Sequence, residues 1–195
     1  MNVPQRPSDV LDHVAGGRQL IVPLANGEPT ALLDVLEDAA RSGDSRINGS
    51  SVHQMHAIHD RDYLSRAFGD RLTHTSYFLS PITRPHFRAG DVELVPGHFS
   101  EVYSIMHRRA PAPLVLAAAS PPDRHGYFSL GVSADYTASF IGRADFFLEV
   151  TDAMPRTFGR NQIHVSQVVG WCQSDRPLVE VAPAQPSTLD SDIAA

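Results

Sequence analysis

The sequence predicts an α/β fold with a mostly parallel sheet and helices on both faces. Two observations carry this. Short runs with no polar face recur, as in Gln19–Leu24 (QLIVPL), Pro113–Ala118 (PLVLAA) and Ala144–Val150 (ADFFLEV), which is how strands buried on both sides read. Amphipathic helical segments alternate with these runs, and strand alternating with helix is the signature of parallel pairing through crossovers.

The first run breaks at Ala25-Asn26-Gly27-Glu28-Pro29, a turn composition. Thr30 is predicted to cap the following helix, ALLDVLEDAARS. There Leu32, Leu33, Leu36 and Ala39 recur at helical spacing, and Gly43 suits the helix end. Thr75–Leu79 (TSYFL) and Val92–Val95 (VELV) read as strands, with a helix around Phe99–Met106. His164–Val169 reads as a short strand or a helix start. From Asp175 the sequence turns to DRPLVEVAPAQPSTLDSDIAA, with three prolines and no helical or strand period, a linker composition. The expected organisation is one α/β domain over residues 1–175 and a Pro-rich linker or tail over residues 176–195.

Composition narrows the function classes. The chain has 195 residues, 42% hydrophobic and 19% charged, with a net charge of −6, a globular composition without the basic balance of a nucleic-acid binder. Its single cysteine, Cys172, rules out an internal disulfide framework and fits a reducing compartment. No apolar run reaches the roughly 18 residues of a membrane span, and the amino terminus has no signal-peptide core. The expectation is a cytoplasmic protein with neither nucleic acid nor membrane as partner.

The most specific stretch is Ala119–Tyr136, ASPPDRHGYFSLGVSADY. It follows a buried strand, and loops at strand carboxyl ends are where open α/β sheets take ligands. Pro121 and Pro122 fix the exit, Asp123 can bond the backbone, and Gly126 permits a backbone geometry closed to other residues. A merely rigid turn accounts for the same residues. A second pattern, His53-x-x-His56-x-x-His59, supplies residues of zinc-ligand type. Yet a spacing of three turns a helix by about 300°, so the imidazoles drift off one face. The i, i+4 pair of H-E-x-x-H is absent. A polar helix or loop is the better reading, and no metal is expected.

SPPD-x-HGY-x-SLGVS-x-DY resembles a signature of the acetyl-CoA hydrolase/transferase family, of the 4-hydroxybutyrate CoA-transferase type. AMPRTFGRNQIHVSQV (Ala153 onward), LANGEPTALLDVL, FRAGDVELVPGHFSEVYSIM and SDRPLVEVAPAQPSTLDSDIA resemble further segments of its amino-terminal domain in the family's order. The resemblance implies one domain of a class I CoA-transferase, with coenzyme A thioesters as substrates rather than a bound cofactor. It also implies an active site between two α/β domains. There a glutamate of the second domain attacks the acyl-CoA to form a mixed anhydride and then a glutamyl-CoA thioester, and covalent catalysis of this kind divides a difficult exchange into easier steps. None of this chain's glutamates stands in a matching motif, so no catalytic residue is assigned. The sequence departs from the family at Thr151 and Ala153, where asparagines are common.

The expected partners are an acyl-CoA and a short carboxylate, together with a chain carrying the second domain, or self-association. The alternatives are a non-catalytic truncated homologue acting as an interaction module, or a component of an acyl-CoA hydrolase. Candidate cleft residues are Asn26, Gly27 and Glu28 in the first turn, Pro122, His125 and Gly126 in the second motif, and Met154, Pro155 and Arg156 in the third. The first turn opens a helix whose free N–H groups would favour an oxyanion, although Gly27 equally serves a tight turn and Glu28 a favourable first-turn acid. Arg156 fits a carboxylate, a phosphate or a salt bridge alike. His164 reads as a buried structural histidine or a catalytic one.

Overall fold

A computed structural model describes residues 3–14, 16–183 and 185–194. Seven strands form one parallel sheet: β1 (Gln19–Val22), β2 (Ser50–Gln54), β3 (Leu72–Ser76), β4 (Glu93–Leu94), β5 (Leu114–Ala119), β7 (Asp145–Val150) and β9 (Gly170–Gln173). Their order is β4-β3-β2-β1-β5-β7-β9. Two short strands, β6 (Tyr127–Ser129) and β8 (Gln162–His164), make a separate antiparallel pair. The helices are α1 (Thr30–Ser42), α2 (Thr83–Ala89), α3 (Val102–Arg109) and α4 (Thr188–Ala194).

The apolar strands are buried from both sides. Leu20, Val22, Val52, Leu72, Leu114 and Leu116 pack with Leu32, Leu33, Leu36 and Ala40 of α1. On the opposite face Ile21, Val115, Ala117, Phe146 and Leu148 pack with Val102 and Met106 of α3, and with Phe128 and Ile163 of the β6–β8 pair. All six residues of β5 are buried, as expected of a central parallel strand.

The winding places the site. From β1 the chain steps outward to β4, then returns to the other side of β1 as β5. The strand order therefore reverses between β1 and β5, and the crevice beyond their carboxyl ends is the ligand position of open α/β sheets.

Several elements differ from the sequence expectation. The histidine-rich segment is not a polar helix or loop at its start: Ser50–Gln54 is strand β2, and His53 is buried within it. The third strand ends at Ser76 rather than Leu79; the Tyr77 N–H makes a last bond to the Gln54 carbonyl of β2 before the chain turns into the carboxyl-edge loop. The helix expected around Phe99–Met106 begins as a 3₁₀ turn and becomes α-helical over Val102–Arg109. Pro29, not Thr30, occupies the cap position of α1, and no side chain of its own caps it. Gly43 does end α1, in the left-handed region at φ 76°. His164 closes β8 and caps a 3₁₀ turn through its Nδ1. The tail, read as aperiodic, carries the short helix α4.

Candidate functional site at the sheet's carboxyl edge

A largely apolar cavity of about 320 Å³ opens at the carboxyl edge, lined by Leu24, Ala25, Met55, His56, Phe78 and Phe99. These side chains come from the ends of four successive strand units. Phe78 and Phe99 are 47% and 57% exposed, and the His56 ring stacks on Phe78 at 5.7 Å. Exposed aromatic rings around a concavity are a common ligand-pocket composition.

Two residues of the 119–136 motif frame this cavity from behind. The Asp135 carboxylate accepts the Leu24 N–H at 2.8 Å and the Thr137 N–H and hydroxyl at 2.8 and 2.7 Å. Burial pushes the Asp135 carboxyl above the ordinary range, against the pull of these bonds. The Tyr136 hydroxyl donates to the Val22 carbonyl at 2.5 Å and accepts the Met55 N–H at 3.1 Å. The motif thus ties the exits of β1 and β2 together. Ser133 lies so close to Gly27 that a Cβ there would meet its Cβ at 2.6 Å and the Pro23 Cβ at 2.5 Å, which explains glycine at that position.

Glu28 is fully buried. Its carboxylate accepts from Gln54 Nε2 (3.0 Å), the Ile58 N–H (3.2 Å) and His59 Nδ1 (2.9 Å), with Arg61 Nε at 3.5 Å. Burial alone would raise its pKa. The bonds from His59, Gln54 and Ile58 and the Arg61 charge outweigh it and hold the group below the usual glutamate range, as hydrogen bonds to a charged form do. Glu28 therefore anchors the β2–β3 connection, which supplies Met55 and His56 to the cavity.

A carboxylate of the protein itself sits at the amino terminus of α1. Glu149, buried in β7, accepts the Ala31 N–H at 2.8 Å and the Leu32 N–H at 3.4 Å. It also accepts the Ser174 hydroxyl at 2.8 Å and pairs with Arg176 at 3.3 Å. Two of the donors expected there, the Ala31 and Leu32 N–H groups, are taken by the protein's own carboxylate, which enjoys the same dipole an external anion would.

The remaining sequence candidates gather around the β6–β8 pair. Arg156 pairs with Asp123 at 2.9 Å and donates to the Tyr127 carbonyl at 2.9 Å. Asp123 in turn accepts the His125 and Tyr127 N–H groups, each at 2.9 Å. Arg156 thereby staples the Pro122–Gly126 loop, with Gly126 left-handed at φ 81°. Pro122 and His125 are exposed, whereas Met154 is buried against Gly131, which Pro155 also approaches. Asn26 sits at the crevice and bonds the carboxy-terminal segment: its Nδ2 donates to the Val179 carbonyl at 3.0 Å and its Oδ1 accepts the Val179 N–H at 2.8 Å.

The three histidines take separate partners. His53 bonds Tyr77 and Gln19, His56 stacks on Phe78, and His59 bonds Glu28. Among the described residues no group of three His, Cys, Asp or Glu side chains is arranged to hold a metal ion, and no helix is long and apolar enough to cross a membrane. The cavity residues Leu24, Met55, Phe78 and Phe99 went unnoticed in the sequence. Their shared signal is position, each following a strand's carboxyl end.

The comparisons agree with this architecture. Residues 5–183 match the model of the acetyl-CoA hydrolase/transferase N-terminal domain. The chain is 32% identical to 4-hydroxybutyrate coenzyme A transferase of Clostridium kluyveri, covering 87% of this chain and 39% of that protein. It is 30% identical to succinyl-CoA:cyclohexane-1-carboxylate CoA transferase of Geobacter metallireducens, covering 90% and 39%. Among solved structures, RipA of Yersinia pestis superposes with a TM-score of 0.86 at 28% identity, covering 94% of this chain and 45% of that one. The chain thus spans less than half the length of these relatives. It belongs to the acetyl-CoA hydrolase/transferase family, whose N-terminal domain it carries.

Proposed function

We propose that this chain is the amino-terminal half of a CoA-transferase that exchanges coenzyme A between an acyl-CoA and a short-chain carboxylate. Its carboxyl-edge cavity would receive the acyl group. The observation that carries this reading is the cavity itself: apolar walls beyond the carboxyl ends of β1, β2, β3 and β4, on one side of the point where the strand order reverses, in a domain whose relatives are CoA-transferases.

The nucleophile is assigned to a second domain. The buried glutamates are consumed internally, Glu28 and Glu149 as described and Glu37 by Arg61 and the Tyr63 N–H. A carboxylate of the second domain would attack the thioester carbonyl, expelling coenzyme A thiolate and leaving a mixed anhydride. The thiolate would then attack the enzyme's own acyl carbon, releasing the substrate carboxylate and forming a glutamyl-CoA thioester. An incoming carboxylate reverses these steps with its own acyl group. The work of this domain is to hold the acyl chain in a dry pocket and orient it. We assign the protein to the cytoplasm on the same reading.

Methionine methyl NMR tests the acyl site. Of the four methionines, Met55 lines the cavity, while Met106 and Met154 are buried elsewhere. Titration with butyryl-CoA should shift the Met55 methyl saturably and leave Met106 in place, and Phe78→Ala should weaken the effect. A saturable response confined to other methyls would contradict the assignment.

A further inference from the structure

We propose that the crevice is closed on one side by the chain's own departing segment, and that Asn26 and Arg176 are the residues that hold it there. Asn26 would then be a positioning residue for residues 174–179 rather than a ligand of substrate. This inference does not rest on the acyl-site reading and survives if that reading fails.

The segment leaves β9 and is bonded at successive points across the carboxyl edge. The Ser174 N–H donates to the Val150 carbonyl at 2.8 Å, and the Thr151 hydroxyl donates to the Arg176 carbonyl at 3.0 Å. Arg176 Nη2 then reaches the Asn26 carbonyl at 2.6 Å, while its Nε lies 3.3 Å from Glu149. Finally the Asn26 side-chain amide makes both bonds a strand neighbour would make with Val179, donating to its carbonyl and accepting its N–H.

Three features set this apart from a casual surface contact. The Arg176 side chain is only 10% exposed, and the Glu149 it meets is fully buried, so the anchor is in the domain interior, where losing one partner of a charge pair is costly. Ala25, next to Asn26, holds a positive φ of 50°, a geometry non-glycine residues rarely adopt without surrounding constraint. The two-way pairing uses both ends of one side-chain amide, its N–H as donor and its oxygen as acceptor, which aliphatic side chains cannot supply. Val179, 47% exposed, is therefore presented at the crevice rim. Whatever follows the segment starts from a fixed point beside the first strand-to-helix turn.

Hydrogen exchange of the intact chain, read at the Val179 amide, tests this. The amide should be protected in the wild type. Asn26→Ala should speed its exchange roughly tenfold, the scale of one lost hydrogen bond, while amides of β5 keep their protection and report an intact fold. Arg176→Ala should act in the same direction. Asn26→Asp gives a readout that general destabilisation would not. Its ionised carboxylate still accepts the Val179 N–H but faces the Val179 carbonyl with no proton to donate, so the segment is held less firmly; protonation restores that donor, and protection relative to wild type should rise as the pH falls through the carboxyl range. An unprotected Val179 amide in the wild type would overturn the proposal. So would unchanged exchange in Asn26→Ala and Arg176→Ala, or an Asn26→Asp deficit that does not depend on pH.

Discussion

Glu149 of β7 closes the amino terminus of α1, accepting the Ala31 N–H at 2.8 Å across the sheet. The bond joins a strand on one side of the reversal point to the helix that follows β1 on the other. It fixes the turn containing Gly27 and Glu28 against the rest of the sheet.

Removing that carboxylate strands Arg176 and the first helical N–H groups. Glu149→Ala should destabilise the domain by about 3–5 kcal/mol, the usual cost of breaking a buried pair. Glu149→Gln keeps an acceptor for Ala31 and should cost less. Urea unfolding of the two variants measures the difference.

Gly27 tests the packing between the first turn and the 119–136 motif. Gly27→Ala should cost about 1–3 kcal/mol through overpacking, because the new Cβ meets both Ser133 and Pro23. Adding Ser133→Gly should recover part of the loss, leaving the Pro23 clash. Thermal or urea midpoints of the single and double variants check the coupling.

Tyr136→Phe removes the hydroxyl that bridges Val22 and Met55. Leaving the Val22 carbonyl and Met55 N–H without that partner should cost about 1–3 kcal/mol. The signature beyond stability is a displaced Met55 methyl resonance with Met106 unmoved.

The pH dependence of stability should carry the mark of two buried histidines. Burial lowers His53 from 6.5 to about 4 and His74 to about 3. Each binds its proton more readily unfolded than folded. Its contribution is therefore intact above pH 6.5 and is lost as pH falls through the window down to about 4 or 3, at up to about 1.4 kcal/mol per pH unit for each proton. Buried Asp135 and Glu37, whose carboxyls are raised by desolvation, work in the opposite sense. His74 lies stacked on Tyr63, so His74→Phe isolates its share. The slope of unfolding free energy between pH 4 and 6 should flatten in that variant.

What the sequence revealed follows from where polar residues sit. β5 was legible because Leu114–Ala119 has no polar side chain, and β7 because only Asp145 at its start and Glu149 near its end stand among apolar residues. β2 was not, because Ser50–Gln54 is buried through polar pairing: His53 with Gln19 and Tyr77, Gln54 with Glu28. Such pairing leaves no hydrophobic period to read. At the site, the Gly27 turn stood out locally, but Asp135, Tyr136 and Glu149 reach it from more than 80 residues away. Arg156 shows the converse. Its residue type suited an anion, while Asp123, close to it only in the fold, pairs with it.

The assignment of the nucleophile to a second domain is tested by an acetyl-CoA plus butyrate exchange assay on the purified chain, with hydroxylamine and borohydride trapping followed by peptide mass spectrometry. No exchange above the uncatalysed rate and no trapped adduct on any glutamate of this chain are expected, with exchange appearing once a complementary second domain is supplied. Turnover by the chain alone, with an adduct on Glu28, Glu149 or another of its own carboxylates, would contradict the assignment.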